Sequence, residues 1–148
     1  AHFDLGDERD GMRALRKAAL CKPNDPETAM ALGHAWKARG DYPRAVEAYQ
    51  KTLALDSALN DARMSLGFCY GRMGKIAKAV ETTEDYLESA PDDPAAINNL
   101  ALLHEQAGRA EDAVKTWTRL KDLASAPEPY RRRAAAHLEA LATRTGEE

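Results

Sequence analysis

The sequence predicts an all-α fold of stacked helix pairs, because small residues recur in it at a fixed interval. Three sets of positions repeat with a step of 34 residues: Gly33, Gly67 and Ala101; Gly40, Gly74 and Gly108; Ala45, Ala79 and Ala113. A period of this length, sustained over three units, is typical of arrays of helical repeats. Charged residues make up 30% of the chain and aromatic residues 6%. Together with abundant alanine, this composition favours helices over strands.

Each unit also carries a leucine before its first small residue and a ring three residues after it. The leucines are Leu32, Leu66 and Leu100, and the rings are Trp36, Tyr70 and His104. A glycine then interrupts the chain before the alanine. Two short helices in close contact need this order, since only small residues fit where two helix backbones cross.

This pattern resembles the tetratricopeptide repeat family. The matching residues are Leu32, Gly33, Trp36, Ala45 and Tyr49 in unit 26–59; Leu66, Gly67, Tyr70, Ala79 and Pro91 in unit 60–93; and Leu100, Ala101, His104, Ala113 and Trp117 in unit 94–127. The chain departs from the family at the leading Trp, the second ring and the closing Pro. Those places hold Ala29, Arg63 and Ile97; Thr83; and Ser57 and Ser125. The resemblance implies a right-handed α-solenoid, a superhelix of antiparallel helix pairs.

The predicted organisation is a single domain spanning 1–148. It comprises a half-repeat at 3–25, full repeats at 26–59, 60–93 and 94–127, and a C-terminal capping helix at 128–144. Helices are expected at 8–21, 26–39, 42–55, 60–73, 76–89, 94–107, 110–124 and 129–143. Asp25-Pro26 and Asp93-Pro94 predict helix starts, because an aspartate caps free backbone amides and proline is tolerated in the first turn.

The first helix is predicted to lack its partner. Gly6 falls in the register of Gly40, so Phe3 and Leu5 are interpreted as the end of a truncated preceding helix, with Asp7 or Asp10 as the next cap. Three apolar residues of the first helix cannot all face the helix at 26–39: Met12, Leu15 and Leu20. We therefore expect the native protein to continue upstream, and this open end to fray or to be covered by another chain in a homo-oligomer.

The last helix is predicted to be amphipathic. Ala134, Leu138 and Leu141 share one face, as a cap on the end of a stack requires. Thr143 to Glu148 is expected to be a frayed tail.

The sequence favours no chemistry of its own, and we predict that the chain is not an enzyme and uses no cofactor or metal. It contains no catalytic or phosphate-binding motif and no paired histidine ligands. Cys21 and Cys69 are interpreted as free thiols. A net charge of −3 offers no general attraction to nucleic acid or anionic membranes. No run approaches 18 apolar residues, the length that a membrane-spanning helix needs, and the compartment is left open.

The resemblance also implies a concave groove lined by positions two, five, nine and twelve of each repeat. These are Glu27, Met30, His34 and Lys37; Asp61, Met64, Phe68 and Gly71; and Ala95, Asn98, Leu102 and Glu105. The partner-binding residues predicted from this set, with Arg72 beside Gly71, are Met30, His34, Lys37, Met64, Phe68, Arg72, Asn98, Leu102 and Glu105. The alternative is that the C-terminal helix or a neighbouring chain covers this strip.

The predicted function is a non-catalytic scaffold that binds a partner peptide or helix in this groove, in an adaptor or assembly role. Two alternatives remain open: a self-associating structural element, and the recognition segment of a larger enzyme.

Overall fold

A computed structural model of the chain describes residues 2–146, with side chains for residues 6, 8–144 and 146. This part of the chain forms eight α-helices and no strand, which confirms the all-α class. The helices are α1 (His2–Cys21), α2 (Pro26–Ala38), α3 (Tyr42–Leu55), α4 (Asn60–Arg72), α5 (Ile76–Ser89), α6 (Pro94–Gln106), α7 (Ala110–Asp122) and α8 (Glu128–Gly146). Helices α2 to α7 begin at the predicted residues.

The two outer helices differ from the prediction. Helix α1 runs without interruption from His2, so the break predicted at Gly6 is wrong and Asp7 and Asp10 lie inside the helix. A glycine in a helix interior costs only about 1 kcal/mol relative to alanine, and without a reversal of chain direction it does not end the helix. The side chains of Phe3 and Leu5 lie outside the described residues. Helix α8 continues to Gly146, so the tail predicted from Thr143 is helical in its described part.

The helix ends confirm the predicted caps. The carboxylates of Asp25 and Asp93 accept hydrogen bonds from Thr28 N at 3.2 Å and Ala95 N at 3.0 Å. Gly40, Gly74 and Gly108 follow the first helix of each predicted repeat, which is α2, α4 and α6 respectively. Their φ angles are +78°, +77° and +73°. Only glycine adopts this left-handed backbone without penalty, and it turns the chain back for the next helix.

The helices group into two compact units, Ala1–Met73 and Gly74–Glu148. In the first unit, α1 to α4 pack each against the next, and α2 also contacts α4. In the second unit, α5 to α8 pack in the same sequential way, and α6 contacts α8. The boundary falls inside the predicted repeat 60–93. The single-domain organisation therefore stays a prediction.

The small positions are where the helices pack most closely. Ala45 in the first unit and Ala79, Ala101 and Ala113 in the second have no exposed surface. A Cβ atom added to Gly33 would lie 2.8 Å from Cε1 of Tyr49, closer than any ordinary contact. The predicted role of these positions is thus confirmed.

The predicted ring positions belong to the cores of the two units: Trp36, Tyr49 and Tyr70 in the first, and Trp117 in the second. His104 is buried as well, but its Nδ1 has no hydrogen-bond partner among the described residues.

Among the described residues, no helix combines the length and apolar character that crossing a bilayer demands.

Candidate partner-binding surface

Six of the nine predicted binding residues lie in the first unit, on the neighbouring helices α2 and α4. Spacings of three and four residues place side chains on one helix face. His34, Phe68 and Arg72 are exposed, whereas Met30, Lys37 and Met64 are partly buried. We call the surface formed by these six residues the α2–α4 face.

Phe68 is the prominent apolar side chain of the α2–α4 face, with 43% of its surface exposed. The ammonium of Lys37 lies 5.7 Å from the centre of its ring, and the ring of Tyr42 approaches edge-on at 6.3 Å. The guanidinium of Arg72 lies 5.7 Å from the centre of the Tyr42 ring. A cation over an aromatic face is attracted to the ring, so Lys37 stabilises the position of Phe68 and Arg72 that of Tyr42.

His34 is tied to the core beneath this face. Its Nδ1 lies 2.7 Å from the hydroxyl of Tyr49. Burial raises the pKa of Tyr49 to about 12, an effect that a hydrogen bond with Ser65 partly offsets. Burial and the nearby Lys37 lower the pKa of His34, whereas Asp61 opposes them. The neutral phenol can therefore donate its proton to an uncharged imidazole, which then carries its own proton on Nε2.

The other three predicted residues lie on α6 in the second unit, where α8 contacts two of them. Asn98 is buried, and its side-chain oxygen accepts a hydrogen bond from Arg133 at 3.4 Å. Oε1 of Glu105 accepts one from Trp117 Nε1 at 3.1 Å and lies 3.0 Å from Nδ1 of His137. Leu102 is partly buried. Within this unit, α8 thus contacts one side-chain oxygen of Asn98 and one of Glu105, two residues that were predicted to meet a partner.

Sequence reasoning missed the polar and aromatic partners that other helices supply to these residues. Tyr42 was assigned no role, although it holds Phe68 edge-on from the start of α3. His137 stacks on Trp117, with ring centres 4.3 Å apart. The repeat spacing carries no signal for either contact, because both residues lie outside the positions that recur with the period.

The second unit also has an apolar hollow that the predicted residues do not line. It encloses about 600 Å³ between α7 and α8, with Val114, Leu138 and Leu141 among its walls.

The described residues include no group of three side chains suited to holding a metal ion. Cys21 is exposed and Cys69 is buried, and both are free thiols, as predicted. Burial raises the pKa of the Cys69 thiol, with Lys37 acting in the opposite direction. This favours the thiol over the nucleophilic thiolate.

Two family models described as tetratricopeptide repeat match the chain, at residues 37–98 and 70–128. Together they span residues 37–128, which is more than half of the chain and includes part of each unit.

Relatives and solved structures point in the same direction. Photosystem I assembly protein Ycf3 of Prochlorococcus marinus is 33% identical over 81 residues, which are 53% of this chain and 47% of the relative. The chain thus spans about half the length of this relative. A MamA double mutant from strain RS-1 is 25% identical with a TM-score of 0.84, over 94% of this chain and 76% of that one. PcrH, solved with the chaperone binding region of PopD, is 25% identical with a TM-score of 0.73, over 80% of this chain and 92% of that one. PcrH has also been solved from Pseudomonas aeruginosa.

Proposed function

Because the chain belongs to the tetratricopeptide repeat family, we propose that it is a non-catalytic module that binds a segment of a partner protein. The binding surface is the α2–α4 face, and the ligand is a peptide or helix. In this proposal the chain acts as an adaptor or assembly factor.

The exposed ring of Phe68 carries the proposal. An exposed aromatic side chain on a helix is costly to leave in water, and a partner residue that covers it gains apolar contact. Lys37 and Tyr42 contact the ring, and Arg72 contacts Tyr42 in turn. These contacts restrict the orientations of the ring before binding, which reduces the side-chain freedom lost when a partner covers it. Positive charge around an apolar centre favours a ligand with an apolar residue flanked by acidic ones.

The relatives support the interaction role. One is described as an assembly protein, and PcrH was solved with the chaperone binding region of another protein. Leu102, Asn98 and Glu105 of the second unit remain proposed contacts. For Asn98 and Glu105, a partner must compete with the hydrogen bonds from α8.

The test compares two exposed apolar residues of the same unit. Peptides are selected from a random display library on the purified chain, and their affinities are measured for Phe68→Ala and for Leu55→Ala, whose side chain is also exposed. We expect Phe68→Ala to weaken binding about tenfold or more, as for the central residue of an interface. Leu55→Ala should leave it within about twofold.

Three results would contradict the proposal. One is the absence of any selected peptide, and another is an equal loss of binding in the two variants. The third is a loss of more than about 2 kcal/mol of unfolding free energy in Phe68→Ala, which would make this residue part of the core. Sedimentation of the parent chain across concentrations tests the alternative of self-association, which requires the mass to rise with concentration.

A further inference from the structure

Four arginines gather around one cleft in the first unit, and none of them belongs to the α2–α4 face. Arg9, Arg13 and Arg16 lie on α1, and Arg39 is the C-terminal cap of α2. With Met12 they line a hollow of about 270 Å³, which we call the arginine cleft. All four arginines are exposed, whereas Met12 is buried. The cleft thus combines an apolar floor with a cationic rim.

The arginines of this rim form no ion pair within the described part of the chain. The ion pairs formed there involve other residues, and none includes Arg9, Arg13, Arg16 or Arg39. Four guanidinium groups around one small hollow repel each other, and an anionic ligand would relieve that repulsion. The net charge of the chain is −3, so the positive charge of this cleft is a local feature and does not reflect the overall composition.

Arg16 is held in position by the core. Its guanidinium carbon lies 4.9 Å from the centre of the Trp36 ring, and that of Arg44 lies 4.7 Å from the same ring. Trp36 is buried, so its ring is a fixed surface against which the Arg16 guanidinium packs. This stacking orients the Arg16 donors before any ligand binds, which reduces the entropy lost on binding.

The spacing of the arginines matches an extended acidic segment. Arg9 and Arg16 are seven residues apart, which is about 10 Å along a helix. A compact anion such as phosphate cannot reach both ends of that row. In an extended chain, every second side chain lies on the same face, and these side chains are about 6.6 Å apart. A ligand with a carboxylate at every second residue can therefore place two or three carboxylates against the arginines.

We propose that the arginine cleft binds an acidic segment of a protein partner, extended along α1, with alternate carboxylates on the arginines and an apolar side chain against Met12. A nucleic acid fits less well. The described residues that line the cleft include no aromatic ring for base stacking, and the Trp36 ring already carries Arg16 and Arg44. The cleft shares no residue with the α2–α4 face, so this proposal does not depend on the proposed function.

The probe is a fluorescein-labelled peptide in which Glu alternates with Ser around a central Leu, and binding to the full chain is followed by fluorescence anisotropy. We expect saturable binding that weakens with salt. A peptide with Gln in place of every Glu should not bind. The double variant Arg9→Glu/Arg13→Glu should weaken binding at least about tenfold, since each substitution replaces attraction by repulsion.

Two further variants keep the result interpretable. Arg39→Glu tests the cleft from α2 and should also weaken binding severalfold, even if the α1 double variant unfolds. Lys121→Glu, at an exposed position in the second unit, changes the net charge as Arg39→Glu does and should leave binding within about twofold. The proposal is overturned if the acidic peptide does not bind, or if Lys121→Glu weakens it as much as Arg39→Glu. It is equally overturned if inorganic phosphate or a poly-dT oligonucleotide competes better than unlabelled acidic peptide.

Discussion

At the scale of single residues, the contact between Gly33 and Tyr49 shows why the repeat needs a small residue after its leucine. The Tyr49 ring has no exposed surface, and the atoms nearest to a Cβ at position 33 belong to that ring. The hydroxyl of this ring also lies 2.7 Å from Nδ1 of His34, so a shift of the ring would cost this hydrogen bond. A side chain at position 33 would therefore separate α2 from α3.

We expect Gly33→Ala to reduce the free energy of unfolding by about 1–3 kcal/mol, because the new methyl group overlaps a fixed ring. The matched control is Gly11→Ala in α1, where nothing lies within 4 Å of the added atom. That change should raise stability by up to about 1 kcal/mol, since alanine is the better helix former. Chemical denaturation measures both. The packing argument is wrong if the two substitutions change stability in the same direction.

His34 supplies a test of the electrostatics of the α2–α4 face. Its pKa is lowered by burial and by Lys37 from an ordinary value of 6.5. Neutral His34 therefore contributes its full stability above pH 6.5. That contribution is lost as the pH falls through the lowered pKa, because the unfolded chain takes up the proton first.

We expect Lys37→Gln to raise the pKa of His34, and Asp61→Asn to lower it further, because the first removes a like charge and the second an opposite one. Titration of the imidazole signals by NMR measures both shifts. If the pKa of His34 does not respond to Lys37→Gln, the two side chains are not close in solution.

At the scale of helices, α1 and α3 have different numbers of packing neighbours within the first unit. Helix α3 is capped by Asp41, whose carboxylate accepts from Arg44 N at 3.3 Å, and it packs against both α2 and α4. Among the described residues of the first unit, α1 packs only against α2. Met12 is buried there, but Leu20 remains 84% exposed. The prediction that the apolar residues of α1 cannot all face α2 is thus confirmed.

We expect the amides of residues 8–21 to exchange with solvent faster than those of residues 42–55, because a helix of a stacked array is stabilised mainly by its neighbours. Hydrogen exchange read by mass spectrometry compares the two segments in one sample held at a concentration where the chain is monomeric. Equal protection in the two segments would mean that the contact with α2 alone suffices to stabilise α1.

At the scale of the whole molecule, the sequence by itself determined the fold class, the starts of six helices and the small positions between them. These features are periodic or local. A glycine that needs a positive φ, an aspartate before a proline and a leucine followed by a small residue each act on neighbours a few positions away. Because the same local order recurs in three units, the helix positions could be predicted from the sequence.

Only the tertiary structure decided which side chains meet. Tyr42 reaches Phe68, Arg133 and His137 of α8 reach Asn98 and Glu105, and four arginines from two helices share one cleft. Each of these contacts joins residues that are more than 20 positions apart or lie on different helices. They depend on helix packing and on the reach of long side chains, neither of which a 34-residue period encodes. The period therefore specifies where helices lie, while the surfaces that a partner would meet arise from packing between them.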